Sequence, residues 1–362
     1  MKNIFLFSAI FFSQLSFATV YTVSNNVSNP GQYTTIQAAV DVSSPGDTIY
    51  VHGSSTAYAG FDAYWNLTMI GSGYNNPNGA NTTISSISNF YRANSTVGPN
   101  GTRVMGFEFS NVIVSPNFTG GDYSTQVADD IVFERNKFAA LHFDQAGSTF
   151  SNITVKNNVF IGNTAIGIVN GVFNNINITN NYFEYANFYL INPISTTVYF
   201  RNNFCYGVSL IGTTGFFKGT NVDSLVVENN IFWEAEPNGC TTCIFNNNIT
   251  YNNIDNNLET STGNPSSLGT GNIIGQDPQF VNYPIIGAIL DYSYDYNLNS
   301  GSSGLGTGTG GTNIGFYGGM YPFIDPGTNP YIPQMQYITL PLGGAVGVGT
   351  NLNVEFKSHK QD

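Results

Sequence analysis

Five segments in the middle of the chain share one alternation of apolar and polar residues. Each is a short apolar-rich stretch followed by Asn, one further residue and a large side chain, and together they cover 131–138, 153–160, 176–183, 198–205 and 225–232. Their closing positions, 138, 160, 183, 205 and 232, lie 22, 23, 22 and 27 residues apart. A repeat of this length, built from short strands with many β-branched residues, predicts one coil of a parallel β-solenoid per repeat.

Alignment of the repeats gives one column of asparagines and one of charged residues. The asparagines are Asn136, Asn158, Asn181, Asn203 and Asn230. Asn tolerates the left-handed backbone of a sharp turn, and stacked amides can hydrogen-bond from coil to coil, so we interpret this column as structural. The second column contains Glu134, Lys156, Thr179, Arg201 and Glu228. Opposite charges one coil apart in this column predict ion pairs on the surface between neighbouring coils.

The two ends of the chain differ from the repeats. Residues 33–40 place apolar side chains on one helical face, and a turn at 45–47 leads to a strand at 48–51. This pattern predicts a short N-terminal helix, near 33–43, that caps the open end of the solenoid. Five prolines within 322–341 indicate an extended strap, and the alternation at 352–357 predicts a strand in a small C-terminal β-hairpin. The alternative for this tail is a sorting signal for an outer membrane.

The N-terminal segments 33–40 and 45–51 resemble the cap of the pectin-lyase-like right-handed parallel β-helix superfamily, which includes secreted bacterial β-helix repeat proteins. Residues 67–71 and 104–109 resemble early coils of that superfamily, and 277–280, 295–298 and 312–316 resemble its closing coils. The resemblance covers about residues 33–319. It implies an all-β fold, a single-stranded right-handed parallel β-helix, and it is specific for fold rather than activity because many functions share this scaffold.

The first residues predict export. Lys2 precedes an apolar run at 4–12, and residues 16–18 form a small-x-small cleavage site. We therefore divide the chain into a signal peptide at 1–18, a parallel β-helix domain at 19–319 and a Pro/Gly-rich strap with a β-hairpin at 320–362. The mature chain has no apolar run long enough for a membrane span. These features favour a secreted, extracellular or cell-surface protein, which we expect to be monomeric.

The charge of the chain limits its partners, and its cysteines predict a disulfide. Charged residues are 9% of the chain and the net charge is −12, which disfavours nucleic acid as a partner. The three cysteines are Cys205, Cys240 and Cys243, and the odd count leaves one thiol over. Ligand spacing for zinc is absent, so we predict a disulfide, either local in the 240–243 motif or linked to Cys205, and no metal.

A catalytic constellation is not identifiable in the sequence. The resemblance implies either a polysaccharide lyase, with carboxylates that hold calcium and a basic residue, or a glycoside hydrolase with paired carboxylates. Asp129-Asp130 is an adjacent acidic pair, and its position before a strand favours a turn-making role. Arg135, Lys137 and His142 follow it, so a site around this coil is a second possibility. Whether the chain is an enzyme stays open, and no cofactor is predicted unless a lyase activity requires calcium.

The positions that flank the closing residue of each repeat predict a carbohydrate surface. If the closing side chain points inward, its neighbours point outward, because side chains alternate along a strand. Coils three to five then display aromatic side chains beside carboxylates, and the predicted sugar-binding residues are Tyr182, Glu184, Tyr206, Trp233 and Glu234. The predicted function is binding or processing of a polysaccharide or cell-surface glycan. The alternative is a non-catalytic adhesin or structural surface protein, and a covering loop or a shifted strand phase would remove the sugar surface.

Overall fold

The computed structural model describes residues 18–76, 80–91, 98–115, 127–144, 146–162, 165–191, 195–207, 215–220, 225–237, 239–240, 243–253, 258, 269–283, 290–324, 334–339 and 355–359. Its two large sheets consist of short strands that pair in parallel with strands one coil earlier and one coil later. The chain is therefore a parallel β-helix, as the repeat predicts. Residues 1–17 of the predicted signal peptide lie outside the described residues.

Four rows of strands run along the helix axis, and a complete coil visits them in the order D, A, B, C. One such coil comprises Thr149–Ser151, Thr154–Lys156, Val159–Ile161 and Ile166–Val169. The next coil begins in register, with Thr149 paired to Val172. Within each row the strands are therefore parallel, and neighbouring strands are about 22 residues apart in sequence, in agreement with the repeat length.

Rows A and D form the first sheet. Row A consists of Val20–Val23, Thr48–Val51, Thr68–Gly71, Arg103–Met105, Val132–Glu134, Thr154–Lys156, Val172–Thr179, Ser195–Arg201, Leu225–Glu228 and Ile244–Asn246. Row D consists of Val127–Asp129, Thr149–Ser151 and the opening residues of Val172–Thr179 and Ser195–Arg201. The ten described strands of row A span about 43 Å at the usual strand spacing of about 4.8 Å.

Rows B and C form the second sheet, and two long strands, Thr83–Phe90 and Glu108–Val114, contribute to both. Row B continues through Lys137–Phe138, Val159–Ile161, Tyr182–Glu184, Phe204–Tyr206, Ile231–Trp233 and Ile249–Tyr251. Row C consists, besides the two long strands, of Asp62–Ala63, Leu141–Asp144, Ile166–Val169, Phe188–Ile191 and Phe217–Thr220. The chain turns sharply at the corner between rows A and B, where Asn157 and Asn180 have positive φ angles.

The asparagine column forms a continuous hydrogen-bonded ladder inside this corner. In each coil the backbone N–H and the Nδ2 of the asparagine donate to the Oδ1 of the asparagine one coil later, as Asn158 does to Asn181 at 2.9 and 3.1 Å. The same pattern runs through Asn136, Asn158, Asn181, Asn203, Asn230, Asn248 and Asn272. From Asn136 to Asn248 the ladder asparagines are fully buried, so the ladder satisfies polar groups with no access to water, and the structural interpretation of this column is correct.

The left-handed turn conformation belongs to the preceding residue, one position away from the predicted one. Positive φ angles of 50–58° occur at Arg135, Asn157, Asn180, Asn202, Asn229 and Asn247. Asn is favoured at such positions because its short polar side chain tolerates this backbone region better than most residues do. The Asn-Asn pairs of the repeat thus divide two roles: the first residue makes the turn, and the second builds the ladder.

Closing residues of the repeat point inward and stack along the axis. The ring of Phe160 stacks on Phe138 at 5.2 Å and on Phe183 at 4.8 Å between centroids, close to the strand spacing. Cys205 and Phe232 continue this buried column. The predicted phase, with the closing side chains inward, is therefore correct.

A helix closes the N-terminal end, as predicted. It spans Ile36–Val42, Thr35 caps it by accepting a hydrogen bond from the backbone N of Ala38, and Ile36, Ala39 and Val40 are buried. None of the helices that the structure describes is long and apolar enough to cross a membrane.

Beyond the last parallel bridge, Ile249 to Ile273, the chain leaves the coils and folds back along their outer surface. We call the described residues 277–283 and 290–324 the covering segment. It contains an antiparallel pair, Phe280–Asn282 with Asp295–Leu298. The interpretation of 277–280, 295–298 and 312–316 as closing coils is therefore wrong. The predicted C-terminal hairpin is present, with Gln334–Thr339 antiparallel to Glu355–His359.

Candidate functional site

Four of the five residues predicted to bind sugar lie together on the outer side of row B, and Glu234 follows Trp233 in a left-handed turn at the end of that row. Tyr182, Tyr206 and Trp233 lie on paired strands of three successive coils, and Glu184 is in register with Tyr206. Their exposed fractions are 0% for Tyr182 and Tyr206, 2% for Glu184, 7% for Trp233 and 4% for Glu234. The strand phase is correct, but the prediction that these side chains form an exposed surface is wrong.

The covering segment buries this patch in a second hydrophobic core. Trp233 is parallel to the ring of Phe280 at 5.9 Å, and its centroid is 4.5 Å from that of Tyr283. Phe316 lies against Phe204 at 5.6 Å. Water disfavours so large a contiguous aromatic surface, and here the chain's own later aromatic residues cover it. This is the covering-loop alternative to a sugar surface, and row B therefore offers no stacking platform at these residues.

The carboxyl group of Glu184 is buried beneath the covering segment and bonds to it. Its Oε2 accepts a hydrogen bond from the backbone N of Leu290 at 3.0 Å. Burial raises the pKa of Glu184, while the Leu290 N–H, Tyr182 and the nearby Lys137 oppose that shift. Glu234 accepts a hydrogen bond from Asn252 at 2.8 Å. These two carboxylates anchor polypeptide rather than face solvent.

The turn-forming asparagines hold the rest of the covering segment by its backbone. Asn180 Nδ2 donates to the carbonyl oxygens of Phe316 and Gly318 at 2.8 and 2.7 Å. In the neighbouring coils Asn202 donates to Gly315 and Asn157 donates to Tyr321. The covering segment therefore runs along the corner from the C-terminal coils towards the N-terminal ones, and its Gly-rich sequence permits this close approach.

A groove of about 570 Å³ remains open between the outer side of row A and the covering segment. Its lining residues are Thr154, Asn177, Thr179, Arg201, Asn202, Glu228, Asn229, Thr309, Thr312, Gly319, Met320 and Tyr321. Most of them present hydroxyl or amide groups, and Met320 and Tyr321 are exposed at its edge. The volume falls within the range of sites that hold small ligands.

The charged column predicted from the sequence lines this groove through Thr179, Arg201 and Glu228, continues beside it through Lys156 and Glu134, and contains the predicted ion pairs. Lys156 Nζ lies 2.8 Å from Glu134 Oε2, and Arg201 Nε lies 2.8 Å from Glu228 Oε2. Tyr321 lies against Lys156, with the ammonium 4.6 Å from the ring centroid. Tyr199 lies against Arg201, whose guanidinium carbon is 4.0 Å from the ring centroid. Both cations are thereby fixed between a carboxylate and an aromatic ring.

The other candidates from the sequence are dispersed. Asp129 accepts a hydrogen bond from Asn152 at 2.8 Å, and Asp130 adopts a left-handed turn and pairs with Arg103 at 3.2 Å, so this acidic pair makes a turn as predicted. Lys137 pairs with Glu108 on row B at 2.7 Å. His142 is on row C, where burial lowers its pKa. The structure therefore does not bring this second candidate site together.

The structure shows how the cysteines pair and whether ligands for a metal lie together. Cys240 and Cys243 form a disulfide, and Cys205 is a buried free thiol, so of the two predicted pairings the local one is correct. The described residues contain no group of three or more His, Cys, Asp or Glu side chains that could hold a metal ion such as calcium.

The fold defines the chain as a parallel β-helix. No family model and no curated protein matches the sequence. A solved structure described as a rhamnogalacturonan lyase is similar, with a TM-score of 0.35 and 16% identity over 65% of this chain and 74% of that one.

Sequence reasoning identified the charged column but missed the groove. One wall, at residues 309–321, has neither periodicity nor apolar alternation, and its place depends on side-chain bonds to its backbone. The available signal was the first asparagine of each Asn-Asn pair. Each turn-forming asparagine directs its amide out of the coil, so a column of them is a row of hydrogen-bond donors for a segment that packs against the corner.

Proposed function

We propose that this chain is an exported protein that binds a polysaccharide in the groove between row A and the covering segment. The observation that carries the proposal is the groove itself, which has the volume of a ligand site and a lining of hydroxyl and amide groups. Glycans present hydroxyls that both donate and accept, and such a lining complements them. Tyr321, 40% exposed at the edge, offers an aromatic face to the apolar side of a sugar ring.

Export is part of the same proposal. The sequence of residues 1–18 supports it, and so does the Cys240–Cys243 disulfide, since disulfides persist chiefly in oxidising compartments. Cell fractionation tests it: we expect the protein in the medium or at the cell surface, shortened by its first 18 residues. Recovery of full-length protein from the cytoplasm would contradict export.

Binding is tested by retention of the purified protein in gels or columns that carry polysaccharides. Tyr321→Ala and Asn177→Ala each remove one lining side chain, and we expect each to weaken retention by about tenfold, the scale of one lost contact. Tyr189→Ala is the matched control, because Tyr189 is a half-buried tyrosine on row C. Equal retention of Tyr321→Ala, Asn177→Ala and Tyr189→Ala would exclude the groove.

The same samples distinguish binding from cleavage. Release of unsaturated product, seen by ultraviolet absorbance, would establish a lyase, and release of reducing ends without absorbance would establish a hydrolase. Retention without either product supports the non-catalytic adhesin alternative.

A further inference from the structure

The ion pairs in and beside the groove limit which glycans it can take. Among the described lining residues Arg201 is the single cation, and Glu228 already neutralises it at 2.8 Å. Beside the groove, Lys156 is neutralised by Glu134 at the same distance. The four charges cancel, and the whole chain carries −12. The long-range field of such a protein repels polyanions.

Each pair is also difficult to open. The carboxylate side chain of Glu228 is 15% exposed and that of Glu134 is 18% exposed, whereas their cations are 37% and 22% exposed. A ligand carboxylate that took Arg201 would leave Glu228 largely buried without its counter-charge. Loss of one partner from a partly buried pair is costly, because the remaining charge stays desolvated.

A neutral hydroxyl avoids this cost. It donates to a carboxylate or accepts from a guanidinium while the ion pair stays intact, since each charged group has further hydrogen-bonding capacity. The ring of Tyr199 over Arg201 and that of Tyr321 over Lys156 restrain the cations against moving out towards an anion.

We infer that the groove is selective for neutral glycans and rejects uronate polymers, with Glu228 and Glu134 as the residues that determine this specificity. This inference rests on the proposed function, because it concerns the ligand of the same groove. In this inference the glutamate of each ion pair keeps acidic ligands away from its cation, in addition to stabilising the fold.

Polymers that share a backbone and differ only in their carboxyl groups test the inference. Three pairs serve: polygalacturonate, polymannuronate and polyglucuronate, each beside its carboxyl-reduced neutral form. For the unmodified protein we expect retention by at least one neutral form and about tenfold or more weaker retention by its acidic counterpart. Equal or stronger retention by the acidic form overturns the inference and leaves the proposed function in place. Retention by none of the polymers overturns the proposed function.

Removal of the charge of either glutamate is the second test of the inference. Glu228→Gln frees Arg201, and we expect the neutral-to-acidic preference to fall by about tenfold, with salt weakening the new binding of the acidic form. Glu134→Gln repeats the test at Lys156. Glu108→Gln is the matched control, because it breaks a pair of similar length, 2.7 Å to Lys137, on row B. An unchanged preference in both groove variants, with thermal unfolding like that of the control, overturns the inference.

Discussion

The amide of Asn180 donates two hydrogen bonds to the polypeptide near Phe316, although 136 residues separate them in sequence. The same side chain belongs to a residue with φ 55° that turns the chain from row A to row B. One asparagine therefore shapes the coil and holds the segment that walls the groove.

Replacement of Asn180 by glycine separates these two roles. Glycine keeps the left-handed turn but removes both donors, so we expect the covering segment to be destabilised by about 1–3 kcal/mol while the coil persists. Hydrogen exchange of residues 309–321 measures the effect and should accelerate. Asn152→Gly is the control: Asn152 has φ 52°, and among the residues that the structure describes its side chain bonds to Asp129 and Asn175, outside the covering segment. Equal protection in the two variants would contradict the anchoring role.

The inner ladder is more sensitive. Asn181→Ala removes the acceptor of the backbone N–H of Asn158, which has no access to water, and also the two bonds that Asn181 Nδ2 donates to Val155 and Asn203. A buried donor left unsatisfied costs about 1–3 kcal/mol and each lost hydrogen bond about 0.5–1.5 kcal/mol, so we expect a loss of about 2–6 kcal/mol. The urea midpoint measures it. Asn177→Ala, on the outer side of row A, should cost less than about 1 kcal/mol. Similar midpoints for the two variants would show that the ladder adds nothing to stability.

The cysteines give a prediction that needs no mutation. Cys205 has no exposed surface, and burial raises the pKa of its thiol well above the usual value. Native protein should therefore not react with a thiol reagent, because thiolate and access are both required. Without reductant, unfolded protein should expose one thiol, and after reduction three. Rapid labelling of the native protein, or three thiols without reductant, is the contrary result.

Glu184 links the covering segment to pH. Its folded-state pKa is raised above the ordinary 4.5 by burial, so the folded protein holds this proton more tightly than the unfolded chain does. Its contribution is greatest below pH 4.5 and is lost as pH rises through the folded-state pKa. Relative to Glu184→Gln, the unmodified protein should therefore gain stability as pH falls from 7 towards 4. Chemical unfolding at several pH values tests this, and a flat or opposite trend would refute it.

Several parts of this molecule were predictable because they repeat. The alternation that ends at Phe138, Phe160 and Phe183 determined which side chains point inward, and one neighbour with a known direction determines the rest. The cap helix at Ile36–Val42 followed from its apolar face.

Other parts were not predictable for a physical reason. Tyr206 and Trp233 point outward as expected, but their exposure depended on Phe280 and Tyr283, which carry no periodic signal. In each Asn-Asn pair the two residues are chemically identical, so only backbone geometry tells Asn180, which turns, from Asn181, which stacks. The groove was not predictable for both reasons, since its wall has no periodic pattern and is held by the turn-forming asparagines.

Paired columns of asparagine have a consequence for how such a chain can change length. A duplicated coil brings its own turn residue and its own ladder residue, so the interior stays continuous. The covering segment does not lengthen when a coil is duplicated. The amide of the additional turn-forming Asn would therefore find no backbone carbonyl to bond. Growth of the rod by whole repeats is therefore tied to matching insertions near residues 309–321, and the two regions should vary in length together.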